Sequence, residues 1–367
     1  MNRETFRIKL LEAAFHAIQL QKPDGSMPAG HNGPYHHKES PLRNTGHWLY
    51  TWAHLWRLDG DRRFRDAASK ALAYVLLDTH RPQKANWMQR MQKGRDACNG
   101  VIGAAWTGEA LWAAALCLNS EDALRHAKDV FLKHVFDSRA GLWQRLEPDG
   151  RVLSIDQTFN HQLWFAATTA RLINAGVDEL EEPLEKFMDG LPRIFAIGKS
   201  GVIRHRIPLY WRDHIFYPGG IPFKIFQTCK SLKTGLKPVD AASRDLGYHA
   251  FNLHAFAILH RHIPEHAFWE SSGWLAALAF ARSEKHINGV AMGNPYAYPY
   301  NPVGFEMAFA LRRFVPGSEE EQQQWLERQW SVLTCDQTLC YGQEAADPVT
   351  AKARLYEAVE WLVESDF

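Results

Sequence analysis

Residues capable of acid–base chemistry collect at the ends of the longest loops of this chain. Asp96, Asp156 and Glu306 stand just before or within the first turns of apolar periodic segments. A carboxylate there either caps a helix by accepting backbone N–H bonds or is available for catalysis. Cleavage of a glycosidic bond needs a protonated acid beside the leaving oxygen and a second carboxylate as base or nucleophile; Asp96 and Asp156 are the leading pair for that task. His161 and His249 point to a different chemistry. With His47, Asn160, Arg204 and Tyr248 they form a set able to remove a proton beside a uronate carboxylate and neutralise the charge that develops. Each of these residues also reads as a satisfied member of a polar core. Arg204 and Arg206, in one proposed hairpin, suit a carboxylate because guanidinium forks match it, and they equally suit an exposed strand. Trp48, Trp106, Trp164, Trp211 and Tyr296 offer flat faces for sugar rings, although aromatics at helical spacing also fill cores.

Other chemistries find little support. The 367 residues carry 42 Lys+Arg against 41 Asp+Glu, with no concentrated basic run, so nucleic acid and anionic membrane surfaces are set aside as partners. Cys335 and Cys340 have a metal-like spacing but no neighbouring ligands complete a site, and no metal is expected. A glycine-rich dinucleotide loop, a phosphate loop and a nucleophile elbow are all missing, so no cofactor is expected. Five scattered cysteines fit reduced thiols, the charged amphipathic start is unlike a signal peptide, and no stretch approaches the roughly 18 apolar residues of a membrane span; these features predict a cytoplasmic protein.

The elements that must position these groups are helical. Apolar residues recur every three or four positions over 3–21, 45–58, 62–78, 103–118, 121–135, 159–174, 178–194, 246–262, 266–284, 302–314, 318–333 and 350–365. Strand signals are confined to 142–155, around Pro148-Asp149-Gly150, and 202–226, around Pro218-Gly219-Gly220, both read as hairpins. Links between helices alternate short and long, and the segments beginning NTGHWLYTWAHL, AAWTGEALWAAA and FNHQLWFAATTA form a weak repeat with a period of about 55–60 residues. Inner helices alternating with outer ones around a ring require this pattern, with the long loops gathered on one face. The expected fold is an all-α (α/α)6 toroid spanning 1–367 as one domain, with one or two short β-hairpin insertions.

The Gln-Lys-Pro-Asp-Gly-Ser segment at 21–26, the aromatic-rich inner helices and the turn ending Leu-Asp-Gly-Asp resemble the six-hairpin carbohydrate-active enzymes. The resemblance is to the unsaturated glucuronyl hydrolase type and, less closely, to the N-acylglucosamine 2-epimerase type. It spans nearly the whole chain and implies a central cleft that takes an oligosaccharide or polysaccharide fragment; no catalytic residue is carried over from it. The leading expectation is a glycoside hydrolase acting through Asp96 and Asp156, on a sugar that includes a uronic acid in one version. A lyase or epimerase working through histidine, tyrosine and arginine is the alternative, and a non-catalytic glycan-binding protein is the third.

Overall fold

The computed structural model describes residues 1–207, 241–334 and 341–363. Its first helix, α1 (Arg3–Ile18), starts at Asn2, whose side chain accepts from the Thr5 N–H at 2.8 Å. Next, α2 (Leu42–Asp59) stops at Gly60, where a φ of 75° reverses the chain, and Asp61 caps α3 (Arg62–Val75) through the Arg63 N–H. The same device recurs: α4 (Ile102–Leu118) ends at left-handed Asn119, and Ser120 caps α5 (Glu121–Lys133). Gly176, at φ 93°, follows α6 (Phe159–Asn174) and leads to α7 (Glu181–Ile194). Then come α8 (Ala241–Gly247), α9 (His249–His262), α10 (Ser272–Ala281) and α11 (Glu284–Gly289). Beyond them lie α12 (Val303–Phe314), α13 (Glu319–Leu333), α14 (Pro348–Ala353) and α15 (Tyr356–Val363).

Packing turns these hairpins into a closed ring. Helices α2, α4, α6, α9, α12 and α15 each contact the next, and α15 returns to α2. Outside them sit α3, α5, α7, α10 and α13, and α1 packs outside α15, so the N-terminal helix completes the sixth hairpin. Burial follows position. On α3 only the stripe of Phe64, Ala67, Ala68, Ala71, Tyr74 and Val75 is buried, whereas α6 is buried almost all round. The ring axis is not wholly apolar: Arg171 on α6 pairs with Glu109 on α4 and Glu360 on α15, and His254 on α9 completes the group at Glu360.

Three departures from the helical periodicity matter for the site. The expected helix 246–262 breaks at Tyr248 between α8 and α9, and the expected helix 350–365 breaks at Arg354 between α14 and α15. Arg354 is drawn into the ring by the Tyr300 carbonyl, Asn301, Glu306 and Glu357, and those bonds outweigh continued helix. Within the segment expected to be one helix over 266–284, a short 3-10 turn at Ala267–Glu270 precedes α10. The hairpin expected over 142–155 forms from β2 (Leu142–Leu146) and β3 (Val152–Ile155), with a short β1 (Phe136–Asp137) on the outer edge of β2. Of the second proposed hairpin only the beginning is described: Ile203 bridges Ile197, and Arg206 bridges Thr158.

Candidate active site

The long loops converge over one end of the ring around a cavity of about 660 Å³. Its chemistry is set at the N-terminus of α4. Asn99 and Gly100 both adopt left-handed backbone, with φ 58° and 64°, which turns the next N–H groups outward. The Gly100 N–H donates to Asp96 at 3.4 Å and the Val101 N–H donates to Asp156 at 3.1 Å. Two carboxylates therefore stand at the positive end of one helix. Glycine is required at position 100, since a Cβ there would lie 2.1 Å from Asp156 Oδ2 and 2.5 Å from His161 Nδ1.

The two aspartates differ in their partners. Asp96 is held between Arg90 and Arg145, the latter at 2.9 Å. Asp156 is buried and also accepts from the Thr158 N–H at 3.0 Å and from His161 Nδ1 at 2.7 Å. Burial pushes its carboxyl upward, but the His161 ring and the backbone donors outweigh this and hold it well below the usual carboxylate range. An ionised carboxylate is acceptor-only, so Nδ1 of His161 donates to it and Nε2 is the ring nitrogen left over. That nitrogen has no protein partner among the described residues, and His161 lines the cavity.

Around this pair stand Trp106, Asn160, Arg206 and Tyr248, all expected from sequence, and all lining the cavity. Tyr248 shares a hydroxyl contact of 3.0 Å with Tyr35, and burial raises both phenols, so both stay protonated. Asn160 keeps its side-chain oxygen buried without a partner among the described residues. The Arg43 guanidinium lies 3.9 Å over the ring of Trp106.

The remaining expected residues are placed elsewhere, each for a visible reason. His249 is fully buried; its Nδ1 accepts from the Ile203 N–H and its Nε2 donates to the Ala277 carbonyl, both at 3.1 Å, so neither nitrogen is left for a substrate. Glu306 lies beneath the cavity, bonded to Arg354 at 2.9 Å, and burial with the neighbouring Glu357 pushes its carboxyl well up. His47 is stacked on Tyr356 at 4.4 Å, one layer below the opening. Trp48 stacks on Trp52 and Trp164 on Phe251, both in the core. Tyr296 packs behind Tyr35 and Tyr248. Arg204 points away and pairs with Asp245 at 2.9 Å. Trp211, Cys335 and Cys340 lie outside the described residues.

The cavity is also lined by His37, Arg43, Arg90, His205, Arg244 and Tyr300, which belong to the long loops read from sequence, and by Arg145 and Arg354, which the sequence did not single out. Desolvation and the Arg90 and Arg95 charges lower His37 to about 4, and burial holds His205 well below the ordinary histidine value, so both rings are neutral at pH 7. The loop-one cluster Tyr35-His36-His37 and the Arg204-His205-Arg206 triplet were the available signals. Arg354 had none, since it sits within an unbroken helical pattern.

The architecture is an (α/α)6 toroid of the six-hairpin kind used by carbohydrate-active enzymes. Among solved structures, cellobiose 2-epimerase from Spirochaeta thermophila superposes with a TM-score of 0.68 at 13% identity, covering 100% of this chain and 97% of its own. An unsaturated glucuronyl hydrolase specific for heparin superposes with a TM-score of 0.62 at 12% identity, covering 99% and 97%. No family model matches the chain. It is 38% identical over 355 residues, 95% of each chain, to archaeal glycosylation protein Q of Haloferax volcanii. The chain belongs to the family of that glycosylation protein. Among the described residues no helix is long and apolar enough to cross a membrane.

Proposed function

We propose that this chain is a carbohydrate-active enzyme that moves a proton within a sugar, as an epimerase or isomerase, with His161 as the base. The observation that carries this reading is the Asp156–His161 pair: a buried anion fixes the imidazole tautomer and leaves Nε2 facing the cavity. In the step envisaged, Nε2 takes the proton from a carbon next to the carbonyl of an open-chain sugar. The C–H electrons form a carbon–carbon double bond and the carbonyl electrons move to oxygen, giving an enediolate. The protonated phenols of Tyr35 and Tyr248 and the nearby arginines favour that oxyanion. Return of the proton to the neighbouring carbon, with the hydroxyl proton passing from one enediolate oxygen to the other, completes an isomerisation. Return to the opposite face completes an epimerisation and needs a second group that delivers a proton there while His161 keeps the one it took. The epimerase among the fold's neighbours and the relative's description as a glycosylation protein support a sugar substrate.

Glycoside hydrolysis is the second reading, favoured by the presence of Asp96 and Asp156 in the same cavity. It is weakened by their partners, because a general acid must hold a proton and both carboxylates are engaged as anions by arginine, histidine or backbone N–H groups. Incubation with a panel of neutral and acidic sugars in deuterium oxide separates the two. Proton transfer incorporates one deuterium without fragmentation and stops in His161→Gln. Fragments that together gain one water, with His161→Gln still active, would transfer the case to hydrolysis.

A further inference from the structure

Seven arginines and two aspartates line the cavity, and the protein itself answers most of that excess. Arg90 and Arg145 share Asp96, Arg43 has Glu39 at 3.1 Å, and Arg354 has Glu306 and Glu357. Apart from Arg95, the remainder are Arg206 and Arg244. Among the described residues neither has an ion-pair partner, and the Nε of Arg244 is buried with no hydrogen-bond partner. Asp156, the site carboxylate whose charge acts on Arg206, is already committed to His161 and two backbone N–H groups.

The two side chains are also delivered to the cavity by segments locked together. The backbone bridge between Arg206 and Thr158 sets Arg206 beside the first turn of α6, which carries His161. Arg244 lies on α8, and the adjacent Asp245 accepts from the His205 N–H at 2.8 Å and from Arg204 at 2.9 Å, tying α8 to the segment that bears Arg206. Arg206 remains accessible to cavity water although walled by protein, and desolvation together with the Arg244 charge lowers its proton affinity. Two guanidiniums held within each other's field without a counter-ion are unfavourable alone and favourable around an anion.

We infer that Arg206 and Arg244 form an anion clamp, so that the substrate is an acidic sugar whose carboxylate or phosphate lies between them while its carbon skeleton reaches His161. This rests on the proton-transfer reading for the role of His161 but not for the clamp itself, and the test keeps the two apart.

Binding is read by calorimetry in the His161→Gln protein, where no turnover interferes, with D-glucuronate, D-glucose 6-phosphate and D-glucose as probes at low and high salt. The clamp predicts that at least one anionic sugar binds ten-fold or more tightly than glucose, and that salt erodes the difference. Arg206→Gln and Arg244→Gln should each weaken the anion by about ten- to a hundred-fold and leave glucose and the melting temperature unchanged. A preference for glucuronate assigns a carboxylate, and a preference for the phosphate ester assigns a phosphate. Equal affinity for glucose, failure of both anions to bind at millimolar concentration, or indifference to both substitutions overturns the clamp. Deuterium exchange into neutral sugars at an undiminished rate would overturn it while sparing the base, and tight anion binding without exchange in the unsubstituted protein would do the reverse.

Discussion

Asp156 accepts three hydrogen bonds from within the protein, two from backbone N–H groups and one from His161. A carboxylate so placed acts on the substrate through the imidazole it orients. His161→Gln should therefore abolish deuterium exchange, whereas Asp156→Asn, which offers an amide of the same shape, should lower kcat by about 10²–10⁴-fold with KM little changed. If exchange in Asp156→Asn stayed within a few-fold of the parent, the orienting role would be lost. The two aspartates were legible from sequence as paired site residues because both precede inner helices. The second arginine on Asp96 was not, since Arg145 arrives from a strand 49 residues further along the chain.

Elements hold this site through strained turns and buried imidazoles. Gly100→Ala forces a side chain into left-handed backbone and against Asp156 and His161. It should cost about 1–2 kcal/mol from the backbone alone and suppress exchange far more than unfolding accounts for; urea titration beside single-turnover rates measures both. Helix-borne histidines add a pH dependence. His134 and His286 are fully enclosed, bonded through Nδ1 to the carbonyls of Val130 and Ala281, and burial, the largest cause, lowers both to about 4. Each is neutral when folded and takes a proton near pH 6.5 when unfolded, so the unfolded state binds more protons below that value. Stability is full above pH 6.5 and falls as pH drops towards 4, by on the order of 3 kcal/mol for each histidine. Replacing both with glutamine should flatten that slope in denaturant midpoints taken from pH 4 to 7; an unchanged slope would assign it to other groups.

At the scale of the whole molecule, ring closure depends on the chain's first helix meeting its last. Phe6 on α1 packs edge-on against Phe305, Trp330 and Trp361, with centroids 5.6–5.9 Å away. Phe6→Ala should cost about 3–5 kcal/mol by opening a cavity in this seam, visible as a lower urea midpoint. Across the axis, Arg171 on α6 joins Glu109 of the neighbouring α4 to Glu360 of α15, which faces α6 from the other side of the ring. Arg171→Met leaves buried carboxyls without their cation and should cost about 3–5 kcal/mol; a neutral result would mean that those carboxyls protonate at little expense.

What the sequence determined by itself was the hairpin architecture. Three- and four-residue periodicity, Asp-Gly-Asp and Asn-Ser turns, and alternating loop lengths are local signals, and local physics produces helices, caps and reversals from them. The same information located the loop face and picked out Asp96, Asp156, Asn160, His161, Arg206 and Tyr248, which the fold brings to one cavity. Only the tertiary structure decided that His249 spends both nitrogens on backbone groups, that Glu306 lies under Arg354, and that Arg204 turns outward while Arg206 turns in. The reason is physical: a residue's type and helix position state what it is able to do, but its protonation, orientation and free valence are set by partners tens to hundreds of residues away, which are fixed only when the ring closes.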